Sequence, residues 1–410
     1  MSGTVRVIVL NADEDAAPEL RAHLLSVNGV KIVAEIDEPS FLAQALDQFP
    51  AEVLLVHLDP NPPAMMDVVA PLIEARKGRF ASIAMTESRD AELVVRAMRA
   101  GMKEFLWKPF PPEQLNEILI RIGKEVPAGS RRMGRLIPIM GTSGGAGATT
   151  LATNVAVELV QLEGHNGGAG KPKVVLVDLD FRFGQVAMLL DAQPTYTIAE
   201  LCESPEQLET QMIERAVVKL DSGLHVLAHP ADFEQAARIT AAQTAGVLAA
   251  LQEHYDYVIV DGPVRLDPTA QAVFDMTDIY VLVLQLLVPA VRNADRILQE
   301  MARNGYNPKR IRLVCNRYGR EAGYLAVNDV ETTLGRKFDF WIPDDWKTSC
   351  SAVNMGSPLI DYAPKTKLRL AYKEFAKTLI ADADESGNGE QEEARSEKKG
   401  LFSFFAGQKA

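Results

Sequence analysis

Residues 141–150 read GTSGGAGATT, and this is the most informative segment of the chain. It stands between an apolar strand pattern at Leu136–Met140 and a helical pattern at Thr149–Leu162. Glycines at such a junction let successive backbone N–H groups turn inward, and the following helix adds its positive N-terminal end. The segment therefore predicts a cradle for an anion such as a phosphate group.

The spacing of this segment fits the phosphate-loop pattern G-x-x-x-x-G-K-S/T. Gly147 is the last glycine of the pattern, and the Thr149 hydroxyl stands where a Mg²⁺ ligand is expected. One position departs from it, because Ala148 occupies the place of the phosphate-binding lysine. The candidate nucleotide-binding residues of the loop are Gly144, Gly145, Ala146, Gly147, Ala148, Thr149 and Thr150.

Two later strand patterns end in carboxylates. The run VVLVD ends at Asp178 and is followed by Asp180, and the run YVIVD ends at Asp261. A carboxylate at such a strand end can hold Mg²⁺ or orient an attacking water. The plain alternative is that Asp178 and Asp261 only cap their strands. The coincidence of loop, threonines and acidic strand ends favours a nucleotide site.

The missing lysine limits the chemistry that the loop can perform. Its absence at Ala148 removes charge-assisted hydrogen bonds worth about 1.5–3 kcal/mol in the ground state, and more in a charged transition state. We therefore expect weak to moderate binding of ATP with Mg²⁺ and no fast hydrolysis. Two alternatives stay open: Arg182 partly replaces the lysine, or the pocket is vacant and serves only as a dimer surface.

These residues resemble the MinD/ParA family of deviant Walker ATPases, whose loop reads K-G-G-x-G-K-T-T. In that comparison Ser143 occupies the position of the signature lysine, and Ala148 that of the phosphate-loop lysine. The resemblance implies that Thr149 and Asp261 bind Mg²⁺ and that Asp180 positions water. It also implies that Asn316, in the pair Asn316-Arg317, contacts the adenine edge. With both lysines absent, the residues leave open whether the chain is an enzyme.

Composition narrows the class of protein. A length of 410 residues, at about 150 per domain, predicts two or three domains. No run approaches the roughly 18–20 apolar residues of a membrane span. Three widely spaced cysteines exclude a disulfide framework and suit a reducing, cytoplasmic compartment. A net charge of −12 argues against nucleic acid as a partner, because a polyanion would be repelled.

Apolar strand patterns alternate with amphipathic helix patterns twice along the chain, which predicts an α/β protein with two doubly wound parallel-sheet domains. We expect a first domain at residues 1–122, a linker at 123–135, a second domain at 136–380, and an acidic disordered tail at 381–410 with a short basic-aromatic end. The predicted strands are Val5–Leu10, Lys31–Ile36, Glu52–Leu58, Ser82–Met85, Glu104–Leu106, Leu136–Met140, Lys173–Val177, Leu224–Ala228, Tyr257–Val260, Ile279–Leu284, Arg312–Cys315 and Phe338–Ile342. The predicted helices include Ala17–Val27, Pro39–Gln48, Ala91–Ala100, Pro112–Ile122, Thr149–Leu162, Thr240–Glu253, Val291–Asn304 and Lys367–Ile380.

The first domain resembles response-regulator receiver domains, but it lacks the acidic residues of their phosphorylation site. His57 stands where the phospho-accepting aspartate would be, while Thr86 and Lys108 match the family's later strand ends. Aspartyl phosphorylation needs a carboxylate nucleophile and carboxylates that hold Mg²⁺. Asp59 lies two residues past His57 and beyond the predicted strand end, so phosphorylation there is not expected. The resemblance implies a pseudo-receiver that acts as a docking or dimerising surface.

A degenerate receiver joined to a MinD/ParA-like domain resembles the CpaE/TadZ family of tight-adherence (Flp) pilus assembly proteins. Residues 342–345 (IPDD) and 354–359 (NMGSPL) match segments of that family, and the resemblance spans about residues 4–380. It implies a cytoplasmic homodimer at a cell pole or at the inner membrane. Such a scaffold would recruit the pilus secretion ATPase and the inner-membrane platform proteins.

Three other functions remain as alternatives. A slow ATPase switch of the MinD/ParA type, controlling polar or membrane positioning, would be favoured by a lysine at residue 143 or 148, and neither is present. A DNA-segregation ATPase would need a basic surface strip, whereas the arginines here are scattered in an acidic chain. A membrane switch of the MinD type would rest on Lys398–Phe405 alone, whose few aromatic residues allow at most peripheral contact.

Overall fold

The computed structural model describes most of the chain. The described residues are 5–27, 29–76, 78–125, 133–162, 170–203, 208–263, 265–319 and 325–380. The predicted tail at 381–410, with its segment Lys398–Phe405, lies outside them. Within the described residues, no helix is long and apolar enough to cross a membrane.

The N-terminal part forms a five-stranded sheet in the order β2-β1-β3-β4-β5, and all its neighbouring strands pair in parallel. Every residue of the strand Val53–His57 is buried, as expected for a parallel strand covered on both faces. The elements are β1 (Val5–Asn11), α1 (Ala17–Ser26), β2 (Val30–Ile36), a 3₁₀ turn (Pro39–Phe41), α2 (Leu42–Gln48), β3 (Val53–His57), α3 (Pro62–Ala75), β4 (Ala81–Thr86), α4 (Ala91–Arg99), β5 (Glu104–Trp107) and α5 (Pro112–Glu125).

Helix α3 was missing from the sequence prediction. Its prolines look like helix breakers, but Pro62 and Pro63 stand at the first positions, where no backbone N–H is needed. The Asn61 side chain caps the helix by accepting a hydrogen bond from the Ala64 N–H at 3.3 Å. Pro71, inside the helix, does not end it. Prolines are therefore compatible with this helix.

The C-terminal part forms an eight-stranded sheet in the order β13-β12-β11-β6-β10-β7-β9-β8. Its strands are β6 (Arg135–Gly141), β7 (Val174–Asp178), β8 (Val218–Lys219), β9 (His225–Leu227), β10 (Tyr257–Asp261), β11 (Tyr280–Leu284), β12 (Ile311–Tyr318) and β13 (Phe340–Pro343). Its helices are α6 (Ala148–Val160), α7 (Val186–Leu189), α8 (Ile198–Cys202), α9 (Thr210–Ala216), α10 (Phe233–Arg238), α11 (Ala241–His254), α12 (Pro268–Asp275), α13 (Val288–Arg303), α14 (Val327–Leu334), α15 (Trp346–Asn354), α16 (Leu359–Tyr362) and α17 (367–380).

All the predicted strands of this second sheet are present, but it is not wholly parallel. The short edge strand β8 pairs antiparallel with β9 and was not predicted. The chain runs from β6 to β7 on one side of the sheet and later passes from β10 to β11 on the other side of β6, so the direction of winding reverses at β6. Ligands of open α/β sheets bind at such a switch point, outside the carboxyl ends of the strands. Residues 141–150 follow β6 and lie at that point.

The predicted linker overlaps ordered structure at both ends. Helix α5 continues to Glu125 and β6 already begins at Arg135, whereas residues 126–132 lie outside the described part of the chain. A glycine inside a helix costs only about 1 kcal/mol, so the glycine at position 123 is not sufficient to end α5.

The two sheets are joined by buried ion pairs. Arg21 of α1 contacts Asp275, at the end of α12, and Glu35 of β2. The Tyr306 hydroxyl donates to the same Asp275 carboxylate at 2.9 Å. Lys31 of β2 donates to Asp278 at 2.7 Å. Buried charges of this kind are tolerated because each one has a partner, and together they fix how the two sheets meet.

Candidate functional site

The loop after β6 has the backbone conformation that its glycines allow. Gly145 has φ +75° and Gly147 has φ +95°, both in the left-handed region that disfavours residues with a Cβ. Gly147 then begins helix α6 as its N-cap residue. The glycines at these two positions are therefore required by the turn and are not incidental.

Three side-chain amides hold the loop from outside. Each amide belongs to a different segment of the C-terminal part, and each donates to a loop carbonyl. The bonds run from Asn293 Nδ2 to Thr142 O at 2.9 Å, from Gln285 Nε2 to Gly145 O at 2.8 Å, and from Asn316 Nδ2 to Ala146 O at 2.8 Å. With these carbonyl groups held outward, the loop is preformed without the help of a lysine.

The loop N–H groups remain available on the other side. Among the described residues, the backbone N–H groups of Gly144, Gly145 and Gly147 have no hydrogen-bond partner. The first N–H groups of a helix such as α6 are also unpaired within the helix. A Cβ placed on Gly144 or Gly145 would meet nothing within 4 Å, so this face is open. The donors and the space both fit a phosphate group.

Acidic side chains gather beside the loop. The Thr149 side chain lies close enough to the Asp261 carboxylate to lower the pKa of that group, and Asp261 stands opposite Asp178 in the register of β10 and β7. Burial raises the pKa of Asp261, and the charge of Asp178 raises this pKa further. The structure thus brings Thr149 and Asp261 together, and their role as Mg²⁺ ligands stays a prediction. A cation here would relieve the repulsion between the carboxylates.

Protein groups alone do not complete a metal site. Within the described ranges, no group of three or more His, Cys, Asp or Glu side chains is arranged to hold a metal ion. Magnesium in nucleotide sites usually takes one or two protein ligands and completes its shell with water and phosphate oxygens. The pair Thr149 and Asp261 fits that pattern, in which metal and nucleotide bind together.

Asp178 positions a loop. Its two carboxylate oxygens accept hydrogen bonds from the Asp180 and Val186 N–H groups, both at 3.1 Å. A Cβ on Gly184 would lie 2.4 Å from an Asp178 oxygen and 2.3 Å from the His229 ring, so only glycine fits there. Burial raises the pKa of Asp178, against these hydrogen bonds. For Asp178, the interpretation that its carboxylate only caps the end of the strand therefore fits better than a role in holding Mg²⁺ or orienting water.

Asp180 lies in the same loop and is partly engaged. Its Oδ1 accepts hydrogen bonds from the N–H groups of Arg182 at 3.3 Å and Phe183 at 3.1 Å. Its charge contributes to the raised pKa of Asp261, which places it near the acidic cluster. The Arg182 side chain is exposed. In this conformation Arg182 does not take the place of the lysine that Ala148 replaces.

A cleft adjoins the loop on the side of β12 and β13. It is open to solvent and is lined in part by Gly147, Thr150, Asn316, Arg317, Trp346 and Tyr372. The Arg317 guanidinium lies 5.1 Å from the centre of the Trp346 ring. The position beside the phosphate loop suits the nucleoside part of a nucleotide.

Asn316 lines this cleft, but both polar atoms of its side-chain amide already form hydrogen bonds. Its Nδ2 donates to Ala146 O, and its Oδ1 accepts from the Arg317 N–H at 2.9 Å. The predicted contact with adenine therefore has to share an amide that already supports the loop. Contact with the base remains a prediction.

The sequence did not reveal Gln285, Asn293 or His229. Gln285 directly follows the apolar strand β11, and this is the same signal that singled out Asp178 and Asp261. Asn293 lies inside α13, where no local pattern marks it. His229 lies against Gly184 in the loop that Asp178 positions, and no local pattern marks it in the sequence.

The comparison with known proteins agrees with this geometry. The family described as an AAA domain matches residues 134–307. The putative septum site-determining protein MinD of Nephroselmis olivacea is 28% identical over 254 residues, which are 60% of this chain and 87% of that protein. MinD of Synechocystis sp. is 28% identical over 255 residues, 60% of this chain and 90% of that protein.

Two solved structures share the fold. A ParA family ATPase from Chlorobium tepidum has a TM-score of 0.54 at 22% identity, covering 60% of this chain and 98% of its own. MinD from Pyrococcus horikoshii, complexed with Mg-ADP, has a TM-score of 0.51 at 20% identity, covering 60% of this chain and 96% of its own. The C-terminal part of this chain therefore has the P-loop fold of the MinD and ParA proteins.

Proposed function

We propose that this protein is a positioning scaffold whose C-terminal domain binds ATP with Mg²⁺ and dimerises but hydrolyses ATP poorly or not at all. The main observation behind the proposal is that the phosphate loop is preformed although it contains no lysine. The carbonyl of Ala146 is held outward by Asn316, and the N–H groups of Gly145 and Gly147 are free on the other side.

Binding is supported by groups that do not depend on a lysine. The free N–H groups and the N-terminal end of α6 would hold the phosphates. Thr149 and Asp261 would hold Mg²⁺, which supplies the positive charge that neutralises phosphate oxygens. The cleft beside Arg317 and Trp346 would take the nucleoside. The relative from Pyrococcus horikoshii, with the same fold, is described as complexed with Mg-ADP.

Slow hydrolysis follows from the charges that are missing. Transfer of a phosphoryl group moves negative charge that lysine or arginine side chains normally neutralise. Positions 143 and 148 carry serine and alanine, and Arg182 is exposed. Asp180 remains as a residue that would orient water, but its Oδ1 already accepts two N–H groups. The proposed state is thus a long-lived nucleotide complex.

The pilus assignment rests on the resemblance to the CpaE/TadZ family. In support, residues of the segment 342–345 build the cleft, because Pro343, Asp344 and Asp345 line it. Leu359, which ends the segment 354–359, donates its N–H to Asn154 of α6 at 2.8 Å. We propose a homodimer that recruits the pilus secretion ATPase and inner-membrane platform proteins, in the cytoplasm or at a cell pole.

The N-terminal domain would serve as the docking part of this scaffold. Its strand order β2-β1-β3-β4-β5 is the doubly wound order that receiver domains share with other proteins. His57 is buried at the end of β3, where a phospho-accepting aspartate would be needed. The domain would therefore bind partners without being phosphorylated at this position.

The test is calorimetric titration of the full chain with ATP, with and without Mg²⁺, together with measurement of phosphate release. We expect Mg²⁺-dependent binding and turnover far below about one per minute, an order-of-magnitude threshold for working switch enzymes. The variant Ala148→Lys should bind ATP more tightly, whereas the uncharged control Ala148→Gln should not. Brisk turnover by the unaltered protein, or no binding by either protein, would refute the proposal.

A separate test addresses the pilus assignment. A strain that lacks the protein should lose its Flp pili and regain them when the unaltered chain is supplied. The variant Thr149→Ala should restore fewer pili if Mg²⁺-nucleotide binding is needed for assembly. Normal piliation without the protein would contradict this assignment and leave the nucleotide-binding proposal intact.

A further inference from the structure

The carboxyl ends of the strands in the N-terminal sheet hold a cluster of polar groups around Asp59. The Thr86 hydroxyl donates to Asp59 Oδ1 at 2.7 Å, and the Glu87 N–H donates to Asp59 Oδ2 at 2.9 Å. Thr86 is fully buried, and only 16% of the Asp59 side chain is exposed. Donors from the end of β4 therefore converge on one largely buried carboxylate.

A lysine ammonium lies at the edge of this cluster, in contact with His57 and 3.6 Å from Glu87 Oε1. The Lys108 ammonium donates to His57 Nε2 at 3.0 Å, and that nitrogen lies 3.1 Å from Asp59 Oδ2. The other ring nitrogen of His57 lies 2.6 Å from Asn11 Oδ1, which assigns the ring proton to Nδ1. Burial and the charge of Lys108 lower the pKa of His57, in keeping with a neutral ring.

The arrangement is that of an oxyanion site: a hydroxyl donor, a backbone N–H donor and a nearby ammonium group meet at one place. We propose that this is an oxyanion-binding site for a carboxylate. Its ligand is the side chain of the chain's own Asp59, so the site is permanently filled.

The filled site controls the segment between β4 and α4. Asp59 holds the Glu87 N–H, Thr86 Oγ1 accepts from the Ser88 N–H at 3.1 Å, and Asp90 caps α4 by accepting from the Glu92 N–H at 2.9 Å. The internal carboxylate therefore fixes the start of α4. The helix is presented in one position without any added phosphoryl group or other ligand.

The experiment measures hydrogen exchange by mass spectrometry in peptides covering residues 84–93 of the full chain. In Asp59→Ala, exchange should accelerate by about tenfold, the effect of losing a hydrogen bond to a charged group. Sodium formate, which supplies the missing carboxylate, should restore slow exchange relative to sodium chloride at equal ionic strength. The unaltered protein should not respond to formate.

A second variant keeps the proposal testable if Asp59→Ala fails to fold. Thr86→Val keeps the shape of the side chain and removes the hydroxyl donor, so the same peptides should exchange faster. Formate should not reverse this change, because Asp59 still fills the site. The matched control is Asp47→Ala, which breaks an exposed pair with Arg76 and should leave residues 84–93 unchanged. Unchanged exchange in Thr86→Val, or accelerated exchange in Asp59→Ala that formate does not slow, would overturn the proposal.

Discussion

Asn316 donates its side-chain amide to the backbone carbonyl of Ala146 at 2.8 Å, although the two residues are 170 positions apart in the chain. The bond joins the end of β12 to the phosphate loop. It lies so close to the next residue that a Cβ on Gly147 would stand 2.2 Å from the same amide nitrogen. The end of β12 and the loop therefore fit together as one unit.

This fit predicts that Gly147→Ala is destabilising. The φ of +95° costs an alanine about 1–3 kcal/mol, and the clash with Asn316 adds to that cost. Thermal unfolding should show a lower midpoint, and ATP binding should be lost. The control Gly144→Ala should leave the unfolding midpoint nearly unchanged, because its Cβ would meet no protein atom within 4 Å. Adding Asn316→Ala to Gly147→Ala should recover part of the lost stability, and no recovery would exclude the clash as a cause.

The variant Asn316→Ala distinguishes two roles of this residue. If its amide mainly supports the loop, binding of ATP and of GTP should weaken alike by about 1–3 kcal/mol, the cost of leaving a buried carbonyl unpaired. If it mainly contacts adenine, only ATP should bind more weakly. Calorimetry with the two nucleotides measures the difference. We expect the first outcome for most of the loss, since both polar atoms of the side chain already have partners.

The variant Thr149→Ala should separate metal from phosphate binding. Its side chain lies beside Asp261 and would supply a Mg²⁺ ligand. Binding of ATP in the presence of Mg²⁺ should weaken, whereas the weaker binding measured in EDTA should stay nearly the same, because the backbone N–H groups are unaltered. Equal loss under both conditions would show that the substitution disturbs the loop itself.

The ion pairs between the two sheets predict a dependence of stability on pH. Burial raises the pKa of Asp275 to about 6, against the lowering effect of Arg21. Because the folded-state pKa exceeds the ordinary value, this group contributes stability that is fully present below pH 4 and is lost as pH rises to about 6. The change amounts to about 3 kcal/mol at most.

Asp275→Asn isolates this effect because asparagine does not titrate. Denaturant unfolding at several pH values should show that the unaltered protein loses stability relative to the variant between pH 4 and pH 6. A difference that is constant across this range would show that the carboxyl is already ionised in the folded state at pH 4.

The sequence predicted the parts of this molecule that depend on neighbouring residues. The apolar runs located nearly all the strands, and the glycines near Gly147 located the loop, because backbone conformation and burial on both faces are local demands. Helix α3 was missed since prolines at its start are compatible with a helix, a distinction that depends on position and capping by Asn61.

The contacts that complete the sites could not be predicted in this way. Gln285 and Asn316 reach the loop from 140 and 170 residues away, and Asp59 meets Thr86 only because β3 and β4 are neighbours in the sheet. The order of strands in a sheet determines such meetings, and it arises from packing of the whole domain. The sequence by itself therefore identified a phosphate-binding loop that lacks its lysine. Only the tertiary structure showed the amides that shape this loop and the carboxylate that fills the N-terminal oxyanion site.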